Sequence, residues 1–244
     1  DIFDDNLKKT LTNFLAFNSA EIYKQSLKIF IFYTFLTFFI FIILNLFDFR
    51  SFISLNLSMT LISSGGFMPL NNLEPILNTE LKTIVFSLLM LFSFFSLFFF
   101  YNLLIYKKRG IKFIQEDIYL IIYLIIVTFS FFVFSDKNFN FSLIFLSIAS
   151  SVSNIGISVK NTPEYLSFIF LILIIIGGSF FSTSSGLRLL KIISLFQFSI
   201  NEIISNAKPK NIFIIKLLFS DKLMEKADFY KYFLSILIFI ISLV

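Results

Sequence analysis

Two kinds of stretch alternate along the chain: long apolar runs without a charge, and short runs of small and hydroxyl residues that close on glycine. Charge-free stretches at Ile29–Phe47, Thr83–Tyr106, Ile118–Ser135 and Tyr165–Leu187 approach or exceed the roughly 20 residues that a helix needs to cross a hydrocarbon core. Tyr232–Val244 reads as one more span, cut off by the end of the sequence, with a short interfacial helix as the competing expectation. Ser51–Ser64 and Phe139–Ser153 are different. They are also free of charge, but Ser and Asn recur among their apolar residues. Each is too short to cross as a helix and too apolar for an ordinary loop. The pattern predicts a half-span that enters and leaves by one face, with an interfacial amphipathic helix as the competing expectation.

Each half-span closes on a glycine turn. The first lies in Ser58–Pro69, SMTLISSGGFMP, and the second in Ser147–Ser158, SIASSVSNIGIS, with Gly66–Asn71 and Gly156–Asn161 aligning without a gap. A third run, GGSFFSTSSG at Gly177–Gly186, interrupts a later apolar stretch. Six of the seven glycines (65, 66, 156, 177, 178 and 186) fall in these three runs, where the backbone is expected to do what other residues resist. The expected organisation is a polar lead-in at 1–25 and a span, half-span, span repeat at 26–106. A basic loop at 107–117 follows, then a second repeat at 118–205 whose last span is broken, and a linker with the next span at 206–244.

Composition narrows the class. With 57% apolar and 14% charged residues, the chain falls outside the range of soluble domains and is expected to be an all-α integral membrane protein of repeated span and re-entrant half-span units. Cysteine and histidine are absent, which removes thiol nucleophiles, most transition-metal sites and Ser-His pairs. No enzyme and no cofactor are expected. The charge-free spans hold no Asp or Glu, so a carboxylate proton relay is unsupported. The 39 Phe are assigned no individual role, because an AT-rich coding bias produces such a surplus. The missing initial Met and the interrupted last span suggest a piece of a longer protein, and no signal-peptide pattern is seen.

Lys and Arg set the orientation. With both glycine turns outside, 16 of the 20 lie inside or towards the inside, leaving Arg50, Lys82, Lys137 and Lys160 outside, as the positive-inside rule requires. A half-helix that dives into the membrane and returns as extended chain leaves carbonyls without intrahelical partners, and a monovalent cation is one species that satisfies them.

Ser63-Ser64-Gly65-Gly66-Phe67 resembles the filter sequence of the Trk/Ktr/HKT superfamily of potassium transporters. Ser153-Asn154-Ile155-Gly156-Ile157 occupies the corresponding place in the next repeat. The run Gly177-Gly178-Ser179-Phe180-Phe181-Ser182-Thr183-Ser184-Ser185-Gly186-Leu187-Arg188, with Lys191 after it, is similar to the glycine-rich break in the second span of that family's third repeat. Phe180 and Phe181 stand where the family has small residues, and Asn154 and Ile155 where hydroxyl residues are commoner.

The resemblance implies a pore-forming subunit, of which residues 14–244 cover the second and third of four repeats and the head of the fourth. It implies potassium uptake through a filter at residues 63–67 and 153–157. The implied gating loop comprises Gly177, Gly178, Ser179, Ser182, Thr183, Ser184, Ser185 and Gly186, with Arg188 and Lys191 repelling cations in a closed state. K+ is the transported ion, with no other metal. A homodimer in a bacterial inner (plasma) membrane, a cytoplasmic nucleotide-binding regulatory subunit and no nucleic-acid partner are further implications. The alternatives are a nonconducting fragment, a channel or permease for another small solute, and a membrane-embedded enzyme or scaffold. Water-channel folds bring half-helices in from opposite faces, whereas the charge count puts both turns on one face.

Overall fold

A computed structural model describes residues 22–69, 73, 75–95, 97, 111–134, 140–157, 166–179, 182–207 and 226–243. The lead-in at 1–21, the basic residues 107–110, Phe180 and Phe181, and the linker at 208–225 lie outside the described residues. The described chain is mostly helical. Its elements are α1 (Ile22–Leu46), α2 (Ser51–Ser63), α3 (Glu80–Met90), α4 (Ile111–Phe134), α5 (Phe141–Ser153), α6 (Ser167–Ile175), β1 (Ile176–Gly177), β2 (Leu187–Arg188), α7 (Leu189–Ala207) and α8 (Lys226–Leu243).

α1 is apolar all round but buries only a narrow stripe. Phe32, Leu36, Ile40 and Leu44 recur every four residues and are buried, while Phe30, Phe35, Phe38 and Leu46 on the other faces are exposed. A helix of this kind touches its neighbours along one line and needs an apolar surround for the rest. The buried line packs on α2, joining Leu57, Leu61, Ile62, Phe86 and Met90 in one core. A second core gathers Leu120, Phe131, Ile144, Ile148, Val152 and Leu173 around the other side of α5. α5 is the central element: it packs against α3, α4 and α6 and buries nine of its thirteen residues.

By length and composition one helix among the described residues is apolar enough to cross a membrane, Ile29–Leu46. Ile118–Val133 and Phe233–Ser242 form shorter apolar helices, as do the two half-spans. Among the described residues, therefore, only the first of the four expected complete spans meets the full length, and the second, Thr83–Tyr106, runs outside them after residue 97. The basic loop expected at 107–117 is helical from Ile111, because the strong helix formers in KFIQE extend α4 ahead of its apolar part. The second span, expected to be unbroken from Lys82, leaves regular helix after Met90. Leu91, Phe92, Ser93 and Phe94 bond instead to carbonyls three residues back, at 3.1–3.2 Å. At the N-terminal end Thr79 caps α3, its Oγ1 accepting from the Lys82 amide at 3.4 Å.

The long apolar stretch from Tyr165 is broken, not continuous. α6 stops at Ile175, and α7 resumes at Leu189. The ends of the break lie side by side as a two-residue parallel pair, Ile176 opposite Leu187 and Gly177 opposite Arg188. The intervening segment therefore leaves the helical path and comes back to it as a closed loop.

Candidate functional site

α2 and α5, the helices of the two expected half-spans, have the same backbone at an offset of ninety residues (51 to 141 at the start, 63 to 153 at the end). Each helix stops on a left-handed residue, Ser64 at φ 52° and Asn154 at φ 57°, whose amide bonds back to Thr60 O or Ser150 O. The next amide does likewise: Gly65 N to Thr60 O at 3.1 Å, Ile155 N to Ser150 O at 3.2 Å. Gly66 and Gly156 then take φ values of 66° and 77°. Such angles cost L-residues of order 1 kcal/mol or more, and glycine far less, which is why each turn carries a glycine at this position.

The turns meet. Ser64 Oγ donates to Ser153 O at 3.0 Å, and a methyl added to Gly66 would stand 2.5 Å from Ile155 O. In the first turn the returning chain is tied to its own helix by Thr60 Oγ1, which donates to Phe67 O at 2.7 Å. The Phe67 side chain points outward, exposed, whereas Ile155 and Ile157 are buried in the first core. Ser63 Oγ bonds within its helix, to Met59 O at 2.8 Å.

The third glycine run is brought to the same place. Thr183 Oγ1 donates to Ile62 O, in the last turn of α2, at 2.6 Å, and lies 3.4 Å from Ser93 O. Ser184 N bonds Ser93 O and Ser179 N bonds Phe94 O, both at 3.1 Å. These bonds explain the early end of α3: the Ser93 and Phe94 carbonyls are turned towards the loop. Asn154 Nδ2 donates to Ile174 O at 3.2 Å and to Ser185 O at 2.9 Å. Inside the loop, Gly178 N donates to Ser184 Oγ at 3.0 Å, and the Ser182 and Ser184 hydroxyls are 2.9 Å apart. Arg188 closes it: Ser179 O, Ser182 Oγ and Ser184 O gather 2.7–3.0 Å from Nη1.

Gly177 and Gly178 serve close approach. A Cβ on Gly177 would collide with Ser185 O, and one on Gly178 with Phe94 O. Gly186, at φ 93°, turns the chain into β2.

Of the residues expected in the gating loop, Lys191 stands apart. It lies in the first turn of α7, with Nζ 3.4 Å from Ser235 Oγ of α8. Arg188 points into the loop's oxygens. Three contributors had no sequence signal strong enough to single them out: Ile62 and Phe94 accept hydrogen bonds through backbone oxygens, and Ser93 is one serine in a run of Leu and Phe.

The electrostatics follow from the helix ends. α2, α5 and α6 all finish here, at Ser63, Ser153 and Ile175, and a helix C-terminus carries about half a negative charge in its last carbonyls. The buried polar residues of the described chain are all Ser or Thr. Two buried oxygens at this site, Asn154 Oδ1 and Ser179 Oγ, have no hydrogen-bond partner, which ordinarily costs about 1–3 kcal/mol each. No protein family model matches the chain, and no curated protein matches it.

Proposed function

We propose that the chain is part of a potassium uptake protein of the Trk/Ktr/HKT type, with the turns at Gly66 and Gly156 forming two of the carbonyl-bearing segments of its ion filter. The observation that carries this reading is the convergence of three helix C-termini on two turns of identical left-handed backbone, with no carboxylate among them. Partial negative charge spread over carbonyls suits a monovalent cation that must bind and leave again. A fixed carboxylate would hold it too long. In this reading the half-spans are re-entrant pore helices and the loop at 177–188 is the gate beneath the filter. The membrane setting is supported by the distribution of side chains. Phe, Ile and Leu cover the exterior of α1, α4, α6 and α8, while hydroxyls lie inside. The rest of the ring, a second subunit and a cytoplasmic nucleotide-binding regulator belong to the same proposal.

Gly66→Ala tests it, because the substitution adds one methyl against Ile155 O without altering charge. In the full-length protein, expressed in a host lacking its own uptake systems, potassium-dependent growth should fall sharply while the protein still inserts in the membrane. Undiminished growth with normal insertion would remove the filter assignment.

A further inference from the structure

The three glycine runs are joined pairwise by single side chains. Ser64 Oγ ties the first turn to the second through Ser153 O. Thr183 Oγ1 ties the loop to the first half-span through Ile62 O. Asn154 Nδ2 ties the second turn to both edges of the loop, through Ile174 O and Ser185 O. Both partners of Asn154 are carbonyls, which only accept, so the amide nitrogen must face them and the side chain cannot turn over without losing both bonds. Neither a plug that swings free of the filter nor a filter made of independent turns needs such a triangle.

Resting on the uptake reading, we propose that Asn154 and Thr183 are positioning residues that make the 182–186 segment a strut between the two turns, so that ion discrimination and release of that segment are coupled. The Ile155 carbonyl sits against Gly66, where the two turns press together. Their spacing depends on how the ends of α2 and α5 are held. Two of the three ties holding those ends run through the loop. Withdrawing the segment breaks the bond to Ile62 O and the Asn154 bond to Ser185 O together, leaving Asn154 only its bond to Ile174 O in α6, and lets the turns relax. A loop acting only as a lid would change how many ions pass; a strut also changes which ions pass.

The experiment uses the full-length protein reconstituted in liposomes, with K+ and Na+ uptake measured under matched gradients. Thr183→Val keeps the shape of the side chain and removes its hydroxyl, while Thr183→Ser keeps the hydroxyl. Asn154→Gly keeps the left-handed backbone and removes the amide. Thr183→Val and Asn154→Gly should each raise total flux and lower the preference for K+ over Na+ by about three- to tenfold, with Thr183→Ser within about twofold of the parent. The double variant should be little worse than the worse single one, because cutting either tie already frees the loop; independent packing defects would add. If Asn154→Gly does not reach the membrane, the Thr183 pair decides alone. Intact K+ uptake with unchanged discrimination in the testable variants overturns the strut and leaves the uptake reading standing, whether or not total flux changes. A parent protein that moves no K+ overturns the uptake reading and this one with it.

Discussion

Glycine does two different things at this site. At Gly156 the constraint is conformational: φ is 77°, and a Cβ there would meet nothing within 4 Å. At Gly178 the constraint is spatial, since a Cβ would collide with the Phe94 carbonyl and with Ser184 and Phe94 side-chain atoms. Gly66 has both constraints, being left-handed and against Ile155 O. Alanine should therefore cost about 1–2 kcal/mol at 156, the usual price of a left-handed L-residue. At 178 a backbone oxygen must move, which adds strain of about 1–3 kcal/mol, and the lost loop contacts raise the total further. At 66 the two costs combine. Thermal unfolding in detergent should rank the variants Gly156→Ala above both Gly66→Ala and Gly178→Ala. A Gly156→Ala protein as unstable as Gly178→Ala would mean that a neighbour crowds the second turn. The placement of these glycines was legible from the sequence, because glycine is rare elsewhere in the chain. Which constraint acts at each was not, since that depends on Ile155 and Phe94, distant in sequence from the glycines they crowd.

Among the elements, the bounds of the two half-spans were the most legible part of the fold. Both runs are charge-free, both end just before a turn glycine, and α2 and α5 stop at Ser63 and Ser153. The early end of α3 was not legible. It arises from bonds between Ser93 and Phe94 and a loop some ninety residues downstream, and no local propensity in that apolar run points to them. The loop itself reads in sequence as a flexible break, but it is pinned by Arg188. Three oxygens near Nη1, two of them buried backbone carbonyls, would lose a charged donor in Arg188→Met. That loss should cost the loop about 2–4 kcal/mol. Hydrogen exchange should then quicken at the amides of Gly178, Ser179 and Ser184, which bond within the loop or to α3's end, and stay slow within α5. Arg188→Lys should fall between, since an ammonium is a point donor without the guanidinium's planar fork. Equal protection in parent and Arg188→Met would mean that the bonds to Ser93 O and Phe94 O hold the loop unaided.

At the scale of the whole molecule, exposed Phe, Ile and Leu surround an interior in which two apolar cores enclose buried Ser and Thr. Such a surface suits the lipid setting proposed above. Exposed Phe and Ile would need no partner there, whereas buried hydroxyls can satisfy carbonyls; Ser54, Ser87, Ser147 and Ser153 all donate to carbonyls within their own helices or just before them. The orientation of such a body rests on the Lys and Arg count, which is independent of the packing and can be tested separately. The sequence lends itself to the test, because these 244 residues contain no cysteine and a thiol introduced here has no competitor within them. Asn78 and Asn140 are exposed, beside α3 and α5 at the ends assigned to the outer surface, and Tyr230 is exposed near the start of α8, at the end assigned to the inner one. A membrane-impermeant maleimide applied to intact cells should label the Asn78→Cys and Asn140→Cys variants and spare Tyr230→Cys until the membrane is opened. Labelling of Asn78→Cys without Asn140→Cys would put the two half-spans on opposite faces. The turns at Gly66 and Gly156 would then have to approach each other from the two sides of the bilayer, as the half-helices of a neutral-solute channel do, and the cation-filter reading would give way to that one.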